Sequence, residues 1–159
     1  MITHCQENSL YLDIKVHPAE WSIGYQYFQM LKNNYADHKK QIKILAGGTI
    51  ERILSQYGLL VFDMVSTRVL SGALNLDLPI ILFVPIGLEM RKECYNDLKN
   101  RVRIVSNSDE LQIALKSYKK GEMKSGHSSD FIKKYLGTKN SNNAAKIIQS
   151  VLCPNSKTV

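Results

Sequence analysis

Two stretches decide how this chain is read: Leu59-Leu60-Val61-Phe62 and Leu78-Pro79-Ile80-Ile81-Leu82-Phe83-Val84. Each is a short, almost unbroken apolar run, and each is bounded by residues that stop a helix or start a turn. A strand with water on one face alternates apolar and polar side chains. A run without alternation fits a strand covered on both faces, as in a parallel sheet sandwiched between helices. Working outward, Leu12-Asp13-Ile14-Lys15-Val16, Ile42-Lys43-Ile44-Leu45 and Val102-Arg103-Ile104-Val105 complete a series of five short strands. The expected spans are 12–16, 42–45, 59–62, 80–84 and 102–105, all parallel, with helices on both faces.

Helical spacing fills the gaps between them. Trp21, Tyr25, Phe28, Leu31 and Tyr35 recur at the helical period after the first strand. Thr49 stands where it can cap a helix that carries Ile50, Ile53, Leu54 and Tyr57 and ends at Gly58. Ser66 and Thr67 open a helix through Leu70 and Leu74, and residues 87–95 read as a further, poorly patterned one. Asn107-Ser108-Asp109-Glu110 supplies a cap and an acidic first turn for a helix bearing Leu111, Ala114, Leu115 and Tyr118. Residues 119–129 are polar and contain glycine, the pattern of an exposed loop. Two C-terminal helices, 130–136 and 143–152, follow. Residues 1–9 and 153–159 read as disordered tails.

Composition bounds the function. A chain of 159 residues with a hydrophobic share of 44% supports one folded domain rather than disorder. The net charge of +7 favours anionic partners, but the basic residues scatter in short pairs. No basic stretch is interleaved with aromatics, so nucleic acid is not expected as a partner. The 3 cysteines, Cys5, Cys94 and Cys153, are far apart and show no zinc spacing, which fits reduced thiols in a cytoplasmic protein. No metal and no cofactor are expected.

In open parallel sheets, ligands gather beyond the carboxyl ends of strands, where loops enter helices. Three places qualify here. His17-Pro18 ends the first strand, and an imidazole there can donate to a phosphate and carry charge beside the anion. Ser66-Thr67, with Arg68 beside them, combine hydroxyls, free backbone N–H groups and a guanidinium where the third strand meets a helix. Gly47-Gly48-Thr49 has neither Walker nor dinucleotide spacing and is given a supporting role for Gly48 and Thr49.

Taken together, Asp13-Ile14-Lys15-Val16-His17-Pro18, Leu59 to Asp63, Ser66-Thr67 and Leu78-Pro79-Ile80-Ile81-Leu82-Phe83 resemble the C-terminal half of GT-B transferases. The likeness is to bacterial surface-carbohydrate enzymes of the capsule and teichoic-acid type, over roughly residues 12–118. It implies a Rossmann-like three-layer α/β domain with a five-stranded parallel sheet and two C-terminal helices. It also implies binding of a nucleotide sugar or CDP-linked alcohol, for a glycosyltransferase or glycerophosphotransferase of surface polysaccharide synthesis. By that resemblance His17 is the catalytic candidate at a donor phosphate, and Ser66, Thr67, Arg68, Gly48 and Thr49 are donor-binding. The chain departs from the pattern in two places. Asp63-Met64-Val65-Ser66-Thr67 has one residue more before its hydroxyl pair than the family's Asp-Tyr-Ser-Ser string. Ser71-Gly72 stands where many members carry a ribose-binding glutamate.

A whole GT-B enzyme has two such domains, so residues 1–159 are expected to form a single, partial unit. An N-terminal domain or partner subunit would complete it, with peripheral association at the inner face of the membrane. The alternative is a non-catalytic regulatory or interaction domain on a flavodoxin-like α/β fold.

Overall fold

A computed structural model describes residues 1–15, 29, 30, 33, 41–45, 49–63, 68–88, 90–123 and 131–136. Its elements are α1 (Ile2–Glu7), β1 (Leu12–Lys15), β2 (Ile42–Leu45), β3 (Leu60–Phe62), α2 (Arg68–Ala73), β4 (Ile80–Phe83), α3 (Lys92–Lys99), β5 (Arg103–Val105) and α4 (Ser108–Lys119). Of the expected helix at 21–35 only residues 29, 30 and 33 are described, and these are helical, while the second C-terminal helix at 143–152 and the tail 153–159 lie outside the described residues.

Every described strand pairing is parallel, in keeping with the apolar runs that defined the strands. The expected five-stranded sheet is corrected, however. Among the described residues, β1 pairs with β2 in a ladder of two strands, and β3-β4-β5 form a separate sheet of three. The register runs from Leu12 opposite Ile42 in the first ladder and from Leu60 opposite Ile80 in the second. No backbone hydrogen bond joins the two sheets among the described residues, because the three-residue edge strand β3 finds its partner in β4 alone.

The three-stranded sheet shows why its sequence is so apolar. Alternate residues point to opposite faces. Leu60, Ile80, Leu82 and Val84 pack with Leu70, Leu74 and Leu98 from α2, the turn after it, and α3. Val61, Ile81, Phe83 and Val105 pack on the other face with Leu111, Ala114 and Leu115 of α4. Ile81 and Leu82, neighbours in β4, are both fully buried, one in each layer. At about 25 cal/mol per Å² of apolar area removed from water, each such side chain contributes about 1.5–3 kcal/mol before ordering costs.

Helix ends follow local chemistry. The Asn107 side-chain oxygen accepts from the Glu110 N–H at 2.9 Å, capping α4 as its sequence requires. At the other end Gly121 takes φ of +71°, its N–H donates to Tyr118 C=O, and Glu122 N–H donates to Ser117 C=O. That pair of bonds is the Schellman closure, which satisfies carbonyls the helix leaves unpaired.

Four further expectations differ from the structure. The helix capped by Thr49 is two short 3-10 turns, Ile50–Arg52 and Leu54–Gln56. Thr49 occupies the cap position without a side-chain bond, and only Leu54 of the two turns is buried. One anchoring side chain and two β-branched isoleucines support the tighter, shorter form over a full α-helix. The helix placed at 87–95 begins only at Lys92, after Gly87 with φ of +96°. Finally, residues 1–9, expected as a disordered tail, carry α1 with His4 and Cys5 buried. Of the expected helix at 130–136, Ile132–Leu136 form a π-helical turn and Phe131 enters the core.

Candidate functional site

The carboxyl ends of β1 and β3 define the rim where the candidate residues fall in sequence. β1 ends at Lys15 and β3 at Phe62, with Asp63 exposed immediately after it. α2 is described from Arg68 to Ala73. His17, Gly48, Ser66 and Thr67 lie outside the described residues. Of Arg68 the backbone alone is described, as the first residue of α2. Thr49 is exposed and extended, and its hydroxyl caps nothing. Among the described residues, therefore, no assembled phosphate cradle is seen, and no group of three His, Cys, Asp or Glu could hold a metal ion.

One contact bears on how the two ladders meet. The Tyr57 hydroxyl, in the turn that leads into β3, donates to Asp13 Oδ2 of β1 at 2.7 Å. Burial pushes the Tyr57 phenol up to about 12, and the bond to the Asp13 carboxylate and its charge push the same way.

Sequence reasoning assigned no role to Arg101, which is the most tightly held polar group described. It is 2% exposed, yet among the described residues no carboxylate forms an ion pair with it. Nε donates to Leu74 C=O at 3.0 Å, and Nη1 donates to Leu78 C=O at 3.2 Å. Nη2 donates to Leu76 C=O and, more weakly at 3.4 Å, to Ala73 C=O. The guanidinium fork thus serves the carbonyls of Leu74, Leu76 and Leu78 after α2, while Ala73 C=O already accepts from the Leu76 N–H at 2.9 Å. Burial lowers its pKa and Asp77 raises it in part, without making deprotonation accessible. Its signal in sequence is faint: an arginine between an amphipathic helix and a strand looks like surface.

Two shallow recesses of about 190 Å³ lie at the opposite end of the sheet. Ile80, Arg101, Arg103 and Met123 line one, and Arg103, Ala114 and Glu122 line the other. Ile80 and Arg103 are the first residues of β4 and β5, so these recesses sit at amino ends, away from the rim where α/β folds bind ligands. Arg101 is already engaged with backbone there, and in the second recess the Ser117 hydroxyl donates to Glu122 Oε2 at 3.3 Å, an exposed pair at the end of α4.

No helix among the described residues is long and apolar enough to cross a membrane. The chain matches no protein-family model, no curated protein and no solved structure.

Proposed function

We propose that this chain is the nucleotide-donor-binding domain of a surface-polysaccharide transferase, a glycosyltransferase or glycerophosphotransferase of the GT-B type. The observation that carries the reading is the Tyr57–Asp13 hydrogen bond, which brings the approach to β3 beside β1. With β1 beside β3, the two-stranded ladder and the three-stranded sheet would lie side by side in the order β2-β1 then β3-β4-β5, two separate parallel sheets in a Rossmann-like arrangement. In that order the connection after β1 and the connection after β3 leave in opposite directions, and the crevice between them is where such sheets bind ligands. His17 follows β1 in sequence and Ser66-Thr67 follow β3, so on this reading the candidate residues would flank one crevice.

There, His17 would act at the donor phosphate, with Ser66, Thr67 and Arg68 as further donors and the Gly48-Thr49 turn beside them. The chemistry is electrostatic, stabilising the nucleotide phosphate as charge develops on departure. The acceptor and the catalytic base belong to a partner domain or subunit, in a cytoplasmic enzyme at the inner membrane face. Ile86, 86% exposed, and Leu88 lie in the loop after β4, on that same rim, and suit a partner that closes over it.

The test is calorimetric titration and thermal unfolding of the full chain with CDP and UDP. Binding raises the melting temperature by mass action. Thr67→Ala weakens affinity at every pH, and His17→Ala removes the tightening seen as pH falls through the histidine range. If neither nucleotide binds at millimolar concentration, and Ser66→Ala and Thr67→Ala only lower stability by about 1 kcal/mol, the hydroxyls are helix caps and the reading fails.

A further inference from the structure

α1 touches both parts of the described structure. On one side the Gln41 side-chain amide, at the entry to β2, donates to Cys5 C=O at 2.8 Å. On the other, Lys119 Nζ at the end of α4 donates to Asn8 Oδ1 at 2.7 Å. α4 packs on β4 and β5 through Ala114 and Leu115. α1 is therefore a strap between the two-stranded ladder and the three-stranded sheet.

At the centre of the strap sits a titratable group. His4 is 7% exposed, and among the described residues its buried Nε2 has no hydrogen-bond partner. Its other ring nitrogen, Nδ1, lies 3.4 Å from Asn8 Nδ2. An amide nitrogen can only donate, so Nδ1 is the acceptor and the neutral ring carries its proton on Nε2. Protonation would place an N–H on Nδ1, facing another N–H. Asn8 has no relief by rotating its amide: Nδ2 donates to His4 C=O at 2.8 Å, and Oδ1 accepts from Lys119. The charged groups around the ring add to this. The Met1 amino group on its own helix, and Lys116 and Lys119 from α4, disfavour a positive imidazole, while Glu7 alone favours it. Burial is the largest effect and acts against the charge as well, holding the His4 pKa below 6.5.

We propose that His4 makes the strap acid-sensitive: α1 stays docked while the imidazole is neutral and releases its hold between the two ladders once it is protonated. The sign follows from linkage. A histidine whose folded pKa is lowered stabilises least at low pH. The loss begins as pH falls through the undocked value near 6.5 and is complete below the docked pKa. Between those two values the docking equilibrium weakens by up to about tenfold per pH unit.

The experiment is NMR on the full chain between pH 7.5 and 5, following the His4 ring resonances and the amide exchange protection of residues 2–7. His4→Phe, which fills the site without titrating, identifies the His4 signal by its loss. The expected result is a His4 midpoint below 6.5 and protection that falls with His4 protonation, while His4→Phe keeps its protection flat. Equal, parallel loss of protection in wild type and His4→Phe would overturn the proposal. So would a His4 signal that titrates at 6.5 or above with protection unchanged. Should His4→Phe fail to fold, the wild-type curves still decide: coincident midpoints support the strap, and protection that stays constant through the His4 titration refutes it.

Discussion

Replacing Arg101 with methionine removes a buried guanidinium but keeps an unbranched side chain of comparable length. Four contacts disappear, of which the 3.4 Å contact to Ala73 C=O is weak and is set aside. The other three go to the carbonyls of Leu74, Leu76 and Leu78. Hydrogen bonds to a charged group contribute about 1.5–3 kcal/mol each, so the gross loss is about 5–9 kcal/mol. Relief of the desolvation penalty on the buried cation, several kcal/mol, offsets part of it. The expected net loss is about 3 kcal/mol, a large share of a stability of about 5–15 kcal/mol. With a urea slope of about 1–3 kcal/mol/M, the midpoint should fall by about 1–3 M at unchanged slope. Arg101→Lys should fall between wild type and methionine, because one ammonium cannot reach three divergent carbonyls with the geometry of a planar fork. A midpoint shift under about 0.3 M for Arg101→Met would refute the reasoning, since water would then serve those carbonyls as well as arginine does.

Other outcomes follow from single contacts. Asn107→Ala should cost about 1 kcal/mol in urea unfolding, the usual loss for an N-cap acceptor. Glu110 accepts from the Ser106 N–H and hydroxyl, which lower its pKa, so its contribution persists above about 4.5 and is lost as pH falls through the lower folded value; Glu110→Gln should flatten that acid limb. The Tyr57 phenol should ionise near 12 by ultraviolet absorbance, and its contribution, complete below 10, should fade as pH rises toward 12 and be absent in Tyr57→Phe. Ser9 sits at φ of 55°, so Ser9→Gly should stabilise α1 by about 1 kcal/mol, read as slower amide exchange in residues 2–7. Native-state exchange should also be faster for amides of β1 and β2 than for those of β4.

The sheet was legible where burial is two-sided. The run from Ile80 to Phe83 has no alternation because both its faces are covered, and its strand was found to within one residue. The α4 cap was equally plain, since Asn107 followed by Asp109 and Glu110 states both the acceptor and the dipole match. α1 was not, and the reason is Ser9. The Ser9 N–H bonds Gln6 C=O and the Leu10 N–H bonds Cys5 C=O, a Schellman closure of the kind glycine usually marks. With serine at that position the stop signal is missing from the sequence. Arg101 was hidden for a different reason: its partners are main-chain carbonyls, which no residue type announces. Of the candidate site, the strand ends that should carry it were legible from the pattern, while His17, Ser66 and Thr67 rest on their place in the sequence.

The contacts that join the two ladders differ in kind from those within the three-stranded sheet. Inside that sheet, cohesion is apolar, through two clusters on its two faces. Neither cluster includes a residue of β1, β2 or α1, although Cys5 and Ile42 are individually buried. The described links across the seam are Tyr57 to Asp13, Gln41 to Cys5 C=O and Lys119 to Asn8, all hydrogen bonds with at least one exposed or half-buried partner. Such bonds contribute about 0.5–1.5 kcal/mol each, with charge assistance raising this somewhat, against about 1.5–3 kcal/mol for each buried aliphatic side chain in the clusters. On the described contacts, the ladder of β1 and β2 is expected to open before the three-stranded sheet, at a cost below global unfolding. A ligand held between the ends of β1 and β3 would bind only the closed seam, and part of its binding energy would go to keeping it closed. By the same linkage, the protonation of His4 that loosens α1 would weaken binding at that rim without touching the ligand, which separates its effect from that of a protonated His17, which would strengthen it.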